Sequence, residues 1–103
     1  MTVVIVRDQA QEDIEDAARE YLAVAPKIAV DFLYEYDTMT RLIEAFPRMF
    51  GKAYRSARLA PLKRFPYNIW YVYLESADAV SILRVTHKRR DDEDIKRRLP
   101  EQR

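Results

Sequence analysis

Residues 65–74 read Phe-Pro-Tyr-Asn-Ile-Trp-Tyr-Val-Tyr-Leu, a run that is β-branched or aromatic at most positions. Such a run suits a strand covered on both faces. The polar break Glu75, Ser76, Ala77 and Asp78 separates it from a second β-rich run, which ends Ile82, Leu83, Arg84, Val85, Thr86, His87, Lys88, Arg89, Arg90. Two β-rich runs around a short polar break spell a hairpin, here without the usual glycine. The hairpin delivers a basic cluster, and the only histidine of the chain, on a rigid support.

A chain of 103 residues corresponds to one domain, 1–103, with residues 91–103 expected as a frayed tail. At this length roughly two thirds of the unfolded surface can be buried, enough for a single core. Hydrophobic residues make up 49% and charged residues 34%, with seven tyrosines and one glycine, which is the composition of a folded domain and not of a disordered segment. No apolar run has the length of a membrane span. The apolar start stops at Arg7 and Asp8 without a basic leader or a cleavage site, so no signal peptide is expected. The absence of cysteine excludes disulfides and thiolate metal sites and fits the cytoplasm.

The net charge of +1 conceals a strong asymmetry. Residues 1–46 hold four Lys/Arg against ten Asp/Glu, a balance of −6, whereas residues 47–90 hold ten against two, a balance of +8. The rest, 91–103, balances to −1. A polarised molecule of this kind steers association with anionic partners, although single-sign faces in small domains also serve solubility.

Residues 3–6 predict a first strand, apolar on both sides and therefore interior to the sheet. Asp8 stands where an N-cap belongs, with Gln11 three residues later and Glu12 and Asp13 in the first turn. A helix follows, with Ala10, Ile14, Ala17, Ala18, Tyr21, Leu22 and Ala25 on its apolar stripe and Asp13 among the residues off it. Pro26 ends that helix and suits the first position of a second, which runs to about Phe46. Its stripe is Ala29, Phe32, Leu33, Tyr36, Ile43 and Phe46. Both stripes read as packing against a sheet. Residues 47–64 are irregular and basic, with Gly51 expected to supply a special turn conformation. A short strand over 56–59 is expected, with Pro61 confining it to an edge or ending it. After the hairpin, residues 91–99 suit a short helix with Ile95 and Leu99 on one face and the pairs Glu93/Arg97 and Asp94/Arg98. The fold class is α+β in the order β-α-α-β-β-β, a helical hairpin on a small, mainly antiparallel sheet with a short C-terminal helix or tail.

The chain has no glycine-rich phosphate loop and no His/Cys cluster, so no metal or cofactor is expected. What remains is a basic sheet with one imidazole. Cleavage of RNA by its own 2′-hydroxyl needs a base, an acid and cations around the phosphate, which His87, Arg58, Arg64, Arg89 and Arg90 offer by residue type. The structural alternative for His87 is a capping residue at a strand end, and for Arg89 and Arg90 a solvated strand exit.

The runs Phe-Pro-Tyr-x-Ile-x-Tyr at 65–71 and Ile-Leu-x-Val-x-His-x-Arg-Arg-Asp at 82–91 resemble those of the ParE/RelE family of bacterial toxins. The preceding strand, two helices and proline-glycine region follow the order usual in that family. The resemblance implies the toxin of a type II toxin-antitoxin system, associated with plasmid stabilization. No tyrosine follows Tyr73, and Lys52 is the only lysine shortly before Arg58, which sets the chain nearer the ParE branch. That branch implies action on DNA gyrase with no catalysis by the toxin and no active-site set. Arg58, Arg64, His87, Arg89 and Arg90 are then the residues expected to contact the target or the antitoxin. The implied partner is a cognate antitoxin of the ribbon-helix-helix type, whose disordered acidic segment folds over the toxin. The RelE branch implies instead a ribosome-dependent mRNA endonuclease, with Arg58, His87 and Arg89 as catalytic candidates. A nucleic-acid-binding or adaptor domain without toxicity is the third possibility.

Overall fold

The computed structural model describes residues 1–100. The elements run β1 (Val3–Val6), α1 (Asp8–Val24), α2 (Pro26–Ala45), β2 (Lys52–Tyr54), β3 (Ala57–Pro61), β4 (Tyr67–Leu74), β5 (Ala79–His87) and α3 (Asp92–Arg98). The five strands form one sheet in the order β1-β5-β4-β3-β2. Only the β1–β5 pair is parallel. The fold is α+β, two helices on a mixed sheet followed by a short helix, as the sequence led us to expect.

The aromatic run does form the central strand: residues 67–72 of β4 are buried throughout. The hairpin closes without glycine because Asp78 takes the left-handed conformation, φ 48° and ψ 53°, which a short polar side chain tolerates. The hydroxyls of Thr2 and Tyr73 each donate to Asp78 Oδ1 at 2.8 Å, and the Val3 N–H donates to the Asp78 carbonyl at 3.1 Å. The turn thus anchors the start of β1 as well as its own hairpin.

Pro26 begins α2 at its first turn, where a missing N–H has no helical partner to lose. The helix pair covers one sheet face through Ala10, Ile14, Phe32, Ile43, Ile69 and Ile82. Tyr21, Phe32, Phe65 and Tyr67 add a ring cluster with centroids 5.1–6.3 Å apart, in tilted and edge-on arrangements that favour aromatic pairs. The opposite face carries a second cluster, Ala57, Trp70, Val72, Leu83 and Ile95, the last supplied by α3. Trp70 Nε1 donates to Thr86 Oγ1 at 3.0 Å, satisfying a buried indole.

Several expectations are corrected. β1 is an edge strand, with Val3 and Ile5 exposed and Val4 and Val6 packed on the core; a short apolar run cannot tell two covered faces from one. Arg7, not Asp8, occupies the cap position of α1, without a side-chain cap bond. The 56–59 strand is β3, and it is not at the edge because β2 pairs outside it; Pro61 is its last residue. Gly51 needs no special conformation, since its φ is not positive and a Cβ there meets nothing within 4 Å. Arg55 makes the left-handed turn between β2 and β3 instead. Leu22, Leu33 and Phe46 are exposed, while Met39 enters the core. In α3 the Asp94–Arg98 pair forms at 3.2 Å, while Glu93 pairs with Lys96 at 3.4 Å. Ile95 is fully buried, so this segment is docked and not frayed; the expected tail beyond residue 100 lies outside the described residues.

Candidate target and partner surface

Sheet register decides which of the sequence-derived residues meet. Arg58 lies opposite Tyr71 on β4, whereas His87 lies opposite Tyr67. Four strand positions separate them, roughly 13 Å at about 3.3 Å per residue. Register therefore holds their backbones well apart along the sheet.

Arg58 is also held internally. Its Nη1 donates to the carbonyls of Phe50 at 2.7 Å and Arg48 at 3.4 Å, clamping the turn that leads into β2. Its Nε is buried without a partner among the described residues. Beside it, Arg48 pairs with Glu75 at 2.8 Å; the hydrogen bond and charge of Arg48 hold the Glu75 carboxyl below its usual value. Tyr71 donates its hydroxyl to the Pro47 carbonyl at 2.8 Å, and burial raises its phenol. Arg58, Lys52, Tyr73 and Glu75 line a cleft of about 410 Å³. These groups stabilise the 47–51 turn more directly than they present free donors.

His87 ends β5. Its ring meets Tyr67 edge-on at 5.2 Å, and its Nδ1 accepts the Arg89 N–H at 3.0 Å. The capping geometry is thus realised, and it leaves Nε2 as the remaining ring nitrogen. The Arg90 N–H donates to the His87 carbonyl at 3.0 Å, so residues 87–90 form a tight turn with Lys88, Arg89 and Arg90 exposed. Arg64 lies in the turn after β3, exposed, with Nη2 3.6 Å from Asp31 and its guanidinium over the Phe65 ring at 5.7 Å. The structure therefore joins Arg64 with His87, Arg89 and Arg90 at one end of the sheet and leaves Arg58 apart.

Other residues were not singled out by the sequence. Glu35 on α2 accepts the backbone N–H groups of Lys63 and Arg64 at 2.9–3.2 Å, which fixes their turn. Asp13 on α1 forms a two-pronged pair with Arg84 at 2.7 and 3.2 Å and accepts the Val85 N–H at 3.0 Å. Both side chains are 10% exposed. The β1–β5 ladder ends at Val6 and Ile82, and Asp13 takes over as partner to β5 beyond that point. A cleft of about 950 Å³ opens there, lined among others by Arg7, Asp16, Arg90 and Arg98.

A third feature is apolar. On α2 Val30, Leu33 and Tyr34 are exposed at helical spacing, and Leu22 and Val24 are exposed on α1. Phe46 and Met49 flank an apolar recess of about 560 Å³ after α2. Contiguous exposed apolar patches are the kind of surface that interaction partners cover. No helix among the described residues is long and apolar enough to cross a membrane, and no group of three or more His, Cys, Asp and Glu side chains among them could hold a metal.

Residues 4–92 match the family model described as the ParE toxin of type II toxin-antitoxin system, parDE. No curated protein sequence matches the chain. Among solved structures, the chain is similar to one from the chromosomal ParDE toxin-antitoxin system of P. aeruginosa, with a TM-score of 0.73 at 15% identity over 84% of this chain and 96% of that one. The isolated RelE toxin of E. coli is also similar, with a TM-score of 0.57 at 14% identity over 92% of this chain and 96% of that one. At these identities the likeness to solved structures concerns the fold.

Proposed function

The chain belongs to the ParE toxin family of type II toxin-antitoxin systems, and from that membership we propose that it arrests growth by acting on DNA gyrase without performing catalysis itself. The observation that carries this reading is the commitment of the would-be catalytic groups to internal bonds. Arg58 serves two carbonyls, His87 Nδ1 caps a turn, and the two stand on opposite sides of a four-residue stretch of β4. General acid–base cleavage needs both within hydrogen-bond reach of one substrate. A contact surface has no such requirement. Arg64, His87, Arg89 and Arg90 form that surface at one sheet end, and Arg58 supports it from a distance.

A cognate antitoxin neutralises the protein in this reading. The exposed apolar side chains of α1 and α2 support it, since a segment that folds on binding must bury apolar area to offset its ordering. A ribbon-helix-helix protein encoded beside this chain would supply such a segment. The whole chain then works as one toxin domain in the cytoplasm, and its physiological role is plasmid stabilization.

The likeness to RelE keeps one rival concrete, a ribosome-dependent endonuclease using Arg58, His87 and Arg89. Inducing the protein alone in growing cells and mapping messenger RNA 5′ ends separates the two. The proposal expects growth arrest without new ends at codon-registered positions. Such ends, lost on His87→Ala or Arg89→Ala, would establish the nuclease instead, and unaffected growth would point to a binding or adaptor role.

A further inference from the structure

The turns at residues 62–66 and 87–90 come from distant parts of the chain, yet they are locked to each other. The Lys88 N–H donates to the Pro66 carbonyl at 2.8 Å, and Lys88 Nζ donates to the Leu62 carbonyl at 2.8 Å. Glu35 fixes the first turn through two backbone N–H groups, and His87 fixes the second through its ring nitrogen. The result is a rigid edge from which Lys63, Arg64, Arg89 and Arg90 project, all exposed, with the Lys88 ammonium turned back onto the Leu62 carbonyl. Most carboxylates near it are engaged, Asp91 among them through the Glu93 N–H, while Asp92 stands exposed just past Arg90. Glu35 holds the backbone, Asp31 is shared between Lys27 and Arg64, and Asp94 is shared among Arg90, Arg97 and Arg98. Lys63 and Arg89 have no anionic partner among the described residues.

We propose that this edge binds the phosphate backbone of duplex DNA, so that the toxin grips its target's substrate together with its target. The inference deepens the gyrase reading and rests on it for its biological sense, while the DNA affinity itself is measurable without gyrase. Two arguments favour DNA over an acidic protein segment. None of the large exposed apolar side chains belongs to either turn, whereas a protein segment that orders on binding seeks apolar area. Interfaces with DNA are more polar and more positively charged than those between proteins. Fixed backbones beneath the cations also lower the ordering cost of presenting them. The acidic balance of residues 1–46 disfavours the opposite orientation.

Fluorescence anisotropy with a labelled 20-base-pair duplex, repeated over a salt series, tests this on the purified full chain. The expected affinity falls steeply with salt, by a log–log slope of about 0.9 for each phosphate neutralised. Lys63→Ala with Arg89→Ala should lower the slope by about two and weaken low-salt binding by about tenfold or more. Arg41→Glu, a charge reversal on the exposed face of α2, should leave the slope unchanged. Circular dichroism of each variant establishes that it is folded. Absence of binding at 50 mM salt, equal loss in Arg41→Glu, or stronger binding to single-stranded RNA than to the duplex would overturn the inference. So would loss of antitoxin binding in the double variant with DNA binding intact, which would assign the edge to the antitoxin. Inhibition of gyrase despite any of these results would leave the gyrase reading standing, so the two fail separately.

Discussion

Asp13 shows how a single residue can be misread from sequence and still govern the fold. It lies in the second turn of a helix with a strongly acidic start, where a carboxylate ordinarily faces water, yet it is nine-tenths buried and binds both Arg84 and the backbone of β5. Its partner was invisible because it is 71 positions away and reaches α1 only after an irregularity in the β4–β5 register. There Trp70 pairs with Arg84 and Tyr71 with Ile82, leaving Leu83 as an extra residue on β5. Removing one member of such a buried pair strands the other charge, so Arg84→Ala should cost about 3–5 kcal/mol. Replacing both, as Asp13→Leu with Arg84→Met, should recover much of that loss, because apolar groups of similar volume often substitute for a buried ion pair. Urea denaturation of the three proteins checks the prediction. His87 and Arg58 were legible as polar residues at strand positions, but their separation follows from register, which one sequence does not display.

At the scale of elements, the β4–β5 hairpin was legible because two runs rich in β-branched and aromatic residues flank a short polar break. The proline between α1 and α2 was equally plain. β2 was not, because three residues in a basic, irregular stretch carry no periodicity, and its pairing depends on the left-handed Arg55. The helical stripes came out wider than the sheet covers: Leu22, Leu33 and Phe46 keep the spacing but fall outside the contact. α3 packs Ile95 over the second apolar cluster and caps its own start with Asp91, which accepts the Glu93 N–H at 3.0 Å. The hairpin turn carries a pH signature. The hydroxyl of Thr2, then that of Tyr73, holds the Asp78 carboxyl below its ordinary value, and Arg48 does the same to Glu75. Because both folded carboxyls bind protons less readily than unfolded ones, their stabilisation is present above the usual carboxylate range, near pH 4, and is lost as pH falls through it. Asp78→Asn should therefore lower thermal stability at pH 7 and flatten its decline between about pH 5 and 3. Thermal melts across that interval read the effect directly.

For the molecule as a whole, the division of charge found in the sequence maps onto its architecture. The acidic balance belongs to β1 and the helix pair, and the basic balance to the strands and turns from the end of α2 through β5 and the turn after it. The fold places apolar contact area on the helices and cationic contact area on the sheet end, two surfaces suited to two kinds of partner. Composition announced the polarity but not the separation, because exposure depends on how α2 lies against the 62–66 turn. The central claim is that these surfaces act on gyrase by contact and not on RNA by chemistry. Its most direct test is incubation of the purified protein with DNA gyrase, ATP and relaxed plasmid, followed by gel analysis of topology and strand breaks. The account predicts loss of supercoiling with accumulation of gyrase-dependent cleaved plasmid, reduced in Arg89→Ala. Full supercoiling at saturating protein that still arrests growth in cells would contradict it.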